Sequence, residues 1–413
     1  MTTKNNIPAG YKDSAVGIIP QEWEVKRIKD LGSVITGSTP PTADVSNYGS
    51  EYMFVSPADL SDNQKYVLST EKMLSSKGYA ISRKMPKGTI LYTCIGSTIG
   101  KIGIASRELT SNQQINAVIC NDKNEYLYYA LLLTTGRIKM LAGEQAVPII
   151  NKSEFENIKL AVPPMEEQRK IAEILGVWDE AIEKQSRLIE KLELRKRALM
   201  QRLLTGRTRL PGFTFPWQKV KLGEIGRRIT RRNEENDQNV MTISAQRGFV
   251  SQTDFFNKSV ASENLDNYYL VYRDEFCYNK SYSNGYPMGA IKRLKEADKA
   301  VVTTLYICFS INMLDKVDIN FFEQYCENGG FNQGLMKVAN EGGRAHGLLN
   351  VMPTDFFGLQ ITLPSFPEQK AIAEVLTTAD DEIATHRKKL DALRLQKRGL
   401  MQQLLTGKTR VKI

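Results

Sequence analysis

Apolar residues at 171, 175, 178, 182, 189, 192, 199 and 203 keep the four-and-three spacing that holds one seam of a helix against a partner helix. The same register returns at Ile372, Leu376, Ala379, Ile383, Leu390, Leu393, Leu400 and Leu404. Prolines (Pro163, Pro164, Pro364, Pro367) and glutamates stand where each run starts. Basic residues fill the last turns, and Gly206 and Gly407 follow as stops. Each run therefore predicts one long helix. Glu166 to Leu204 is 39 residues, so at about 1.5 Å per residue the rod is roughly 58 Å long. Elsewhere the pattern shifts to short β-branched and aromatic stretches broken by Gly, Pro and Asn, as in "GTILYTCIGSTIGKIGIA" and "KAVVTTLYICFSI". These predict strands and turns. The chain reads as mixed block, helix, mixed block, helix.

The two helices are copies. A shift of 201 aligns residues 163–209 with 364–410 without a gap, and 22 of the 47 positions are identical. Heptads alone explain shared leucines, but not the shared Glu-Gln opening (Glu167, Gln168; Glu368, Gln369) or the shared "LLTG" ending. This is an internal duplication. The blocks repeat more faintly: "WEVKRIKDLGSVIT" from Trp23 matches "WQKVKLGEIGRRIT" from Trp217, and "SEFENIKLAVP" from Ser153 matches "TDFFGLQITLP" from Thr354.

The seam also predicts direction. A parallel, in-register pair sets Lys196 against Lys397 and Gln185 against His386, which places like charges together. In an antiparallel pair, facing residue numbers add to 575, or to 568 or 582 after a slip of one heptad: at 575 Lys196 meets Ala379, Lys397 meets Trp178, and Ile171, Leu175, Ile182, Leu192 and Leu199 face Leu404, Leu400, Leu393, Ile383 and Leu376. Antiparallel packing is the expectation. It would carry the two blocks to opposite ends of the rod.

Composition narrows the class. A chain of 413 residues is too long for one ordinary core. Its 41% apolar and 25% charged content fits a soluble globular protein. No run of about 18 apolar residues spans a bilayer, and the opening "MTTKNNIPAG" lacks a secretory signal. Cytoplasm is the expected compartment, without membrane contact. Five scattered cysteines and two histidines disfavour disulfides, zinc sites and histidine-based catalysis. The net charge of +10 suits a polyanion partner and equally a basic surface kept for solubility.

"GSTIGKIG" at 96–103 is not a nucleotide-binding loop, because Gly96 and Gly100 enclose three residues and Ile102 follows Lys101. It reads either as a plain glycine-rich hairpin or as a tight loop offering Ser97, Thr98, Lys101 and backbone N–H groups to nucleic acid. The ungapped match to Asp274–Gly289 puts Lys280, Ser281, Ser283 and Asn284 in the equivalent place. Candidate DNA contacts are therefore Ser97, Thr98, Lys101, Arg247, Lys280, Ser281 and Tyr282, polar or basic residues near glycine, where backbone approaches a groove. "AVPPM" at 161–165 lacks the amide and aromatic of a base-gripping methyltransferase motif and reads as the start of a helix. His386 falls on the helix seam as a structural residue, and His346 in "GGRAHG" is a loop residue. Arg195 to Arg209 carries six basic residues and no acid; Arg394, Lys397, Arg398, Lys408, Arg410 and Lys412 repeat this, and Arg227, Arg228, Arg231 and Arg232 form a third cluster. Helix C-termini favour such charges, and so does an acidic partner.

With "PPMEEQRKIAEIL" and "LPSFPEQKAIAEVL", "LMQRLLTGRTR" and "LMQQLLTGKTR", and the Trp-initiated blocks, the whole chain resembles the specificity subunit of type I restriction-modification systems. The resemblance implies an α/β (α+β) fold: two mixed α/β target-recognition domains separated by two conserved helices that form an antiparallel coiled coil with a pseudo-two-fold internal repeat. The expected organisation is an N-terminal arm at 1–20, recognition domain 1 at 21–162, helix 1 at 163–206, a linker at 207–216, recognition domain 2 at 217–362, and helix 2 with a basic tail at 363–413. The implied function is to read an asymmetric, bipartite stretch of double-stranded DNA, one half-site per domain. The chain would be non-catalytic and hold no cofactor. Methyl transfer from S-adenosylmethionine would belong to partner modification subunits, two by the symmetry of the helices, and ATP-driven translocation and cleavage to restriction subunits. A coiled-coil scaffold with no DNA role leaves the divergent paired blocks unexplained, and a stand-alone DNA-modifying enzyme lacks methyl-donor, phosphate and metal signatures.

Overall fold

The long helices run from Met165 to Leu203 and from Phe366 to Leu404, 39 residues each, the first within a residue of the bounds its seam predicts. The computed structural model describes residues 7–61, 64–120, 125–143, 147–252, 265–341 and 349–412; His346 lies outside them. The chain divides into two compact units, Met1–Leu188 with His386–Ile413, and Ile189–Thr385. Each unit thus holds part of each long helix.

In the first unit, Gly32–Thr36, Ile115–Cys120, Ile90–Thr93, Ile102–Ala105 and Tyr66–Val67 form a five-stranded sheet in that order. Its first three pairings are antiparallel and the last is parallel. In the second unit, Gly226–Ile229, Ile307–Ile311, Phe276–Asn279 and Ala290–Arg293 form a four-stranded antiparallel sheet. The four strands common to both follow the same order. Each sheet is preceded by a short helix (Ile28–Leu31; Leu222–Ile225) and accompanied by a two-stranded pairing whose later strand leads into a long helix (Lys159–Val162 on Glu24–Arg27; Gln360–Leu363 on Gln218–Lys221). The faint sequence repeat between the blocks is therefore a repeat of topology.

Each sheet buries one face under helices. In the first unit the Glu125–Leu141 helix presses Tyr126, Leu127 and Tyr129 into a core with Trp23, Tyr92 and Phe155, which Ile171, Leu175 and Leu404 of the long helices complete. The second core is aromatic: Phe276, Tyr278, Phe309, Phe322 and Phe356 stack or meet edge to face. Leu203, Ile372 and Leu376 close it.

Within both units the helix halves are antiparallel, and their ion pairs fix the register. Lys397 pairs with Asp179, and Lys196 Nζ lies 2.6 Å from Asp380. The seam predicted Trp178 and Ala379 as their neighbours. Each partner is instead the next residue along, because a lysine stem that crosses the seam reaches a carboxylate on its flank. Gln185 Nε2 lies 2.8 Å from His386 Nδ1 and donates to His386 O at 3.0 Å. These residues, which a parallel register would also oppose, meet here within the first unit.

The repeated end motifs have an internal role. Glu167, 1% exposed, accepts from Arg410 Nε and Nη2 at 2.8 and 3.0 Å and from Trp23 Nε1 at 2.9 Å. Glu368, fully buried, accepts from Arg209 Nε and Nη2 at 2.5 and 2.7 Å. Gln168 and Gln369 each donate from Nε2 to the carbonyl of the proline five residues earlier, Pro163 and Pro364. The Glu-Gln opening of one helix and the Thr-Arg tail of the other are two halves of one clamp. Part of the basic run read as partner-facing is thus spent inside the fold: Arg195 pairs with Glu382, alongside Lys196, Lys397, Arg209 and Arg410.

Candidate nucleic-acid interface

Sheet order collects three loops of the first unit at one edge. Gly32–Thr36 begins at Gly32, opposite Cys120, and ends at Thr36, opposite Asn116. Beyond Thr36, Gly37 N donates to Ile115 O and Ser38 N to Ser111 O, so the chain crosses the start of the central strand at close range. A Cβ on Gly37 would lie 2.1 Å from Asn112 O, so only glycine passes there. On the other side, the 94–101 hairpin loop docks by Cys94 N to Gln114 O at 2.8 Å and by Gly96 N to Pro148 O at 2.9 Å. This edge is opposite the one at which Ile28 N bonds Ile158 O, beside the strand that leads into the long helix.

Ser97, Thr98 and Lys101 share that hairpin. Ser97 is exposed and Thr98 half-buried. Lys101 Nζ donates to Pro57 O at 3.1 Å, an intramolecular anchor for a residue proposed from sequence to reach DNA. Gly100, at φ +94°, turns the chain back; a Cβ there would lie 2.3 Å from Thr135 Cγ2. Burial pushes the Cys94 thiol at the loop's root up to about 12, which leaves it a protonated packing residue.

Beside the hairpin lie polar side chains with no local sequence signal. Thr39 Oγ1 donates to Gln113 Oε1 at 2.5 Å. Asn112 Nδ2 donates to Gln114 Oε1 at 2.9 Å, and Asn112 Oδ1 accepts from Gln114 N at 3.1 Å. Thr39 and Gln113 are exposed. They are 74 positions apart in the chain.

The second unit uses the equivalent edge. Lys280, Ser281 and Tyr282 occupy the loop between Phe276–Asn279 and Ala290–Arg293, the topological counterpart of 94–101. Tyr282 is 64% exposed. Lys280 is half-buried, and desolvation lowers its ammonium below the ordinary lysine value. Arg247 stands exposed at the turn of the Met241–Ser244 and Gly248–Ser251 hairpin, its N–H on Ser244 Oγ at 3.2 Å. Two bonds join this hairpin to the Lys280 loop: Gln246 Nε2 to Asn284 O at 3.0 Å and Asn279 Nδ2 to Ile243 O at 3.2 Å. All four second-block candidates therefore belong to one linked pair of loops. Gln246 and Asn284 hold them there; the repeat match points to Asn284, and nothing in the sequence marks Gln246.

The third basic cluster divides. Arg227 and Arg228 are exposed on a strand. Arg231 lies 4.1 Å over the Tyr272 ring and pairs with Glu275, and Arg232 lies over Tyr269. Among the described residues, no group of three His, Cys, Asp or Glu could hold a metal ion, and no helix is long and apolar enough to cross a membrane.

Residues 20–194 match the family of the type I restriction modification DNA specificity domain. The type I restriction enzyme MjaVIII specificity subunit of Methanocaldococcus jannaschii is 26% identical over 424 aligned positions, 95% of this chain and 94% of that one. The MjaIX specificity subunit of the same organism is 35% identical over 194 residues, a match that spans 45% of either protein. The crystal structure of the type I restriction-modification S subunit from M. genitalium superposes with a TM-score of 0.56 at 17% identity, covering 98% of both chains, which shows the shared fold. The duplicated sheets, the antiparallel helix pair and these relatives agree: along its whole length the chain is similar to the specificity subunits of type I restriction-modification systems.

Proposed function

We propose that this chain reads an asymmetric, bipartite double-stranded DNA target, one half-site per recognition domain, and takes no catalytic part itself. The observation that carries this reading is the pair of sheets with one strand order and different loop-edge residues: Ser97, Thr98 and Lys101 on one, Arg247, Lys280, Ser281 and Tyr282 on the other. A repeated frame matches the two-fold backbone of a duplex, while unlike loops read unlike bases. Phosphate contacts position such a protein and a minority of base contacts specify.

The helices dock two modification subunits, which carry methyl transfer, and restriction subunits join the same assembly. Near-identical helix surfaces most simply serve two copies of one partner. Arg202, Arg207 and Lys408 remain exposed for this contact after the clamps are satisfied. Two measurements test the reading. Native mass spectrometry of the chain with excess modification subunit should give one chain to two partners, and a single partner copy at saturation refutes the stoichiometry. A methylation map of DNA from cells that express the complex should show one two-part motif. A scaffold without DNA role gives no motif, and a stand-alone enzyme methylates with the pure chain alone.

A further inference from the structure

We propose that Gln113 reads an adenine in the half-site of the first recognition domain, with Thr39 as its positioning residue and Gln114 beside it as a second base-edge donor. This rests on the DNA-reading function above and names the side chains that carry specificity in one domain. Three observations lead here. Gln113 and Thr39 are exposed at the sheet edge where the 94–101 hairpin, the Asn112–Gln114 loop and the Gly37–Thr39 crossing converge. The hydroxyl of Thr39 occupies one lone pair of Gln113 Oε1 at 2.5 Å. The Asn112 side chain closes a ring on Gln114 through both Oε1 and N.

These contacts orient two side-chain amides that would otherwise sample several rotamers. They use carbonyl oxygens and leave both Nε2 groups with no hydrogen-bond partner among the described residues. A glutamine amide with a donor and one remaining acceptor lone pair matches the N7 acceptor and N6 amino donor of adenine in the major groove. Its orientation costs little entropy on binding, because Thr39 has already fixed it. Gln114, whose carbonyl is engaged by Asn112, presents donors and suits a neighbouring base acceptor such as N7, O6 or O4. The counterpart loop in the second domain carries exposed Thr304 and Leu305. The two half-sites are therefore read with different chemistry.

The test uses the full chain assembled with its modification subunits and a duplex library randomised across the target. The wild-type complex selects a two-part motif with adenine at a position of one half. Gln113→Ala and the length-matched Gln113→Met relax that position and lower affinity for the selected duplex roughly 5- to 150-fold. Thr39→Val relaxes the same position by less. The other half-site keeps its full preference in each variant, which also shows that the complex is folded. Unchanged preference at every position overturns the proposal, and so does a uniform loss for all sequences, the mark of a phosphate contact. If the wild-type complex selects no two-part motif, the DNA-reading function itself fails and this proposal with it.

Discussion

Removing Arg209 should destabilise the protein more than removing its repeat counterpart Arg410. Both guanidiniums hold a buried glutamate, but the surroundings of the two carboxylates differ. Glu368 is 0% exposed, and Arg209 supplies its only hydrogen bonds among the described residues. Stripping one partner from a buried pair costs about 3–5 kcal/mol, because the remaining charge stays desolvated. The Arg209 side chain is 28% exposed, so water can replace part of it, and about 3 kcal/mol is expected for Arg209→Ala. Arg410 is 38% exposed, and after its loss Trp23 Nε1 still donates to Glu167 at 2.9 Å. A hydrogen bond to a charged group is worth roughly 1.5–3 kcal/mol, which leaves at most about 1.5 kcal/mol for Arg410→Ala. Trp217, the repeat counterpart of Trp23, gives Glu368 no such help: its Nε1 is buried without a partner. The assay is urea unfolding of the full chain followed by circular dichroism, with exposed Arg202→Ala as a control expected within about 0.5 kcal/mol of wild type. Adding Glu368→Gln to Arg209→Ala should recover part of the loss, since an amide costs less to bury than a charge. Arg209→Ala indistinguishable from Arg202→Ala, or less harmful than Arg410→Ala, would refute this reasoning.

Three further outcomes follow from the same geometry. Asp179→Ala should cost about 2–3 kcal/mol in the same unfolding assay, because it leaves Lys397, 12% exposed, without its carboxylate and frees the Tyr129 hydroxyl, while Lys397→Met should cost less, since a thioether of similar length packs where an ammonium was held. Gly100→Ala, at a positive φ with Thr135 in the way, should distort the hairpin at a cost of about 1–3 kcal/mol and weaken discrimination in the first half-site alone, read by selection from a randomised duplex library. Burial lowers the Lys280 ammonium below 10.5, and a nearby phosphate would raise it, so binding through Lys280 takes up a proton: affinity should fall as pH rises through the alkaline range below that value, and Lys280→Met should remove this component of the titration.

The candidate site was legible in the sequence only in part, and particular residues show why. Ser97, Thr98 and Lys101 sit beside two glycines whose turn is a local event, and they were found together. Lys280 and Ser281 followed from the repeat, and Tyr282 from its place beside them. Arg247 was named for the glycine beside it and not for any neighbour in the second block, and Gln246 to Asn284 is the contact that joins its loop to theirs. Thr39 and Gln113 carry no signal at all, because their meeting depends on one strand end crossing another.

The sequence by itself determined the long helices, the duplication and the antiparallel direction. A helix seam is a period written along one dimension, and the lysines at 196 and 397 make one of two directions repulsive. It also held the clamps in plain view: Glu167 with Glu368, Asp179 with Asp380, Lys196 with Lys397 and Arg209 with Arg410 are all identical positions of the repeat. Only the tertiary structure decided who binds whom. An identical Glu and Arg in one copy could pair within it or across to the other, and the antiparallel packing chose across: Arg410 to Glu167, Arg209 to Glu368. Strand order was likewise invisible, since short apolar runs specify that a strand forms and not which strand lies beside it. Hydrophobic burial is non-directional, so neighbours are set by connections and close backbone approaches such as Gly37 on Asn112, which exist only once the whole sheet is assembled.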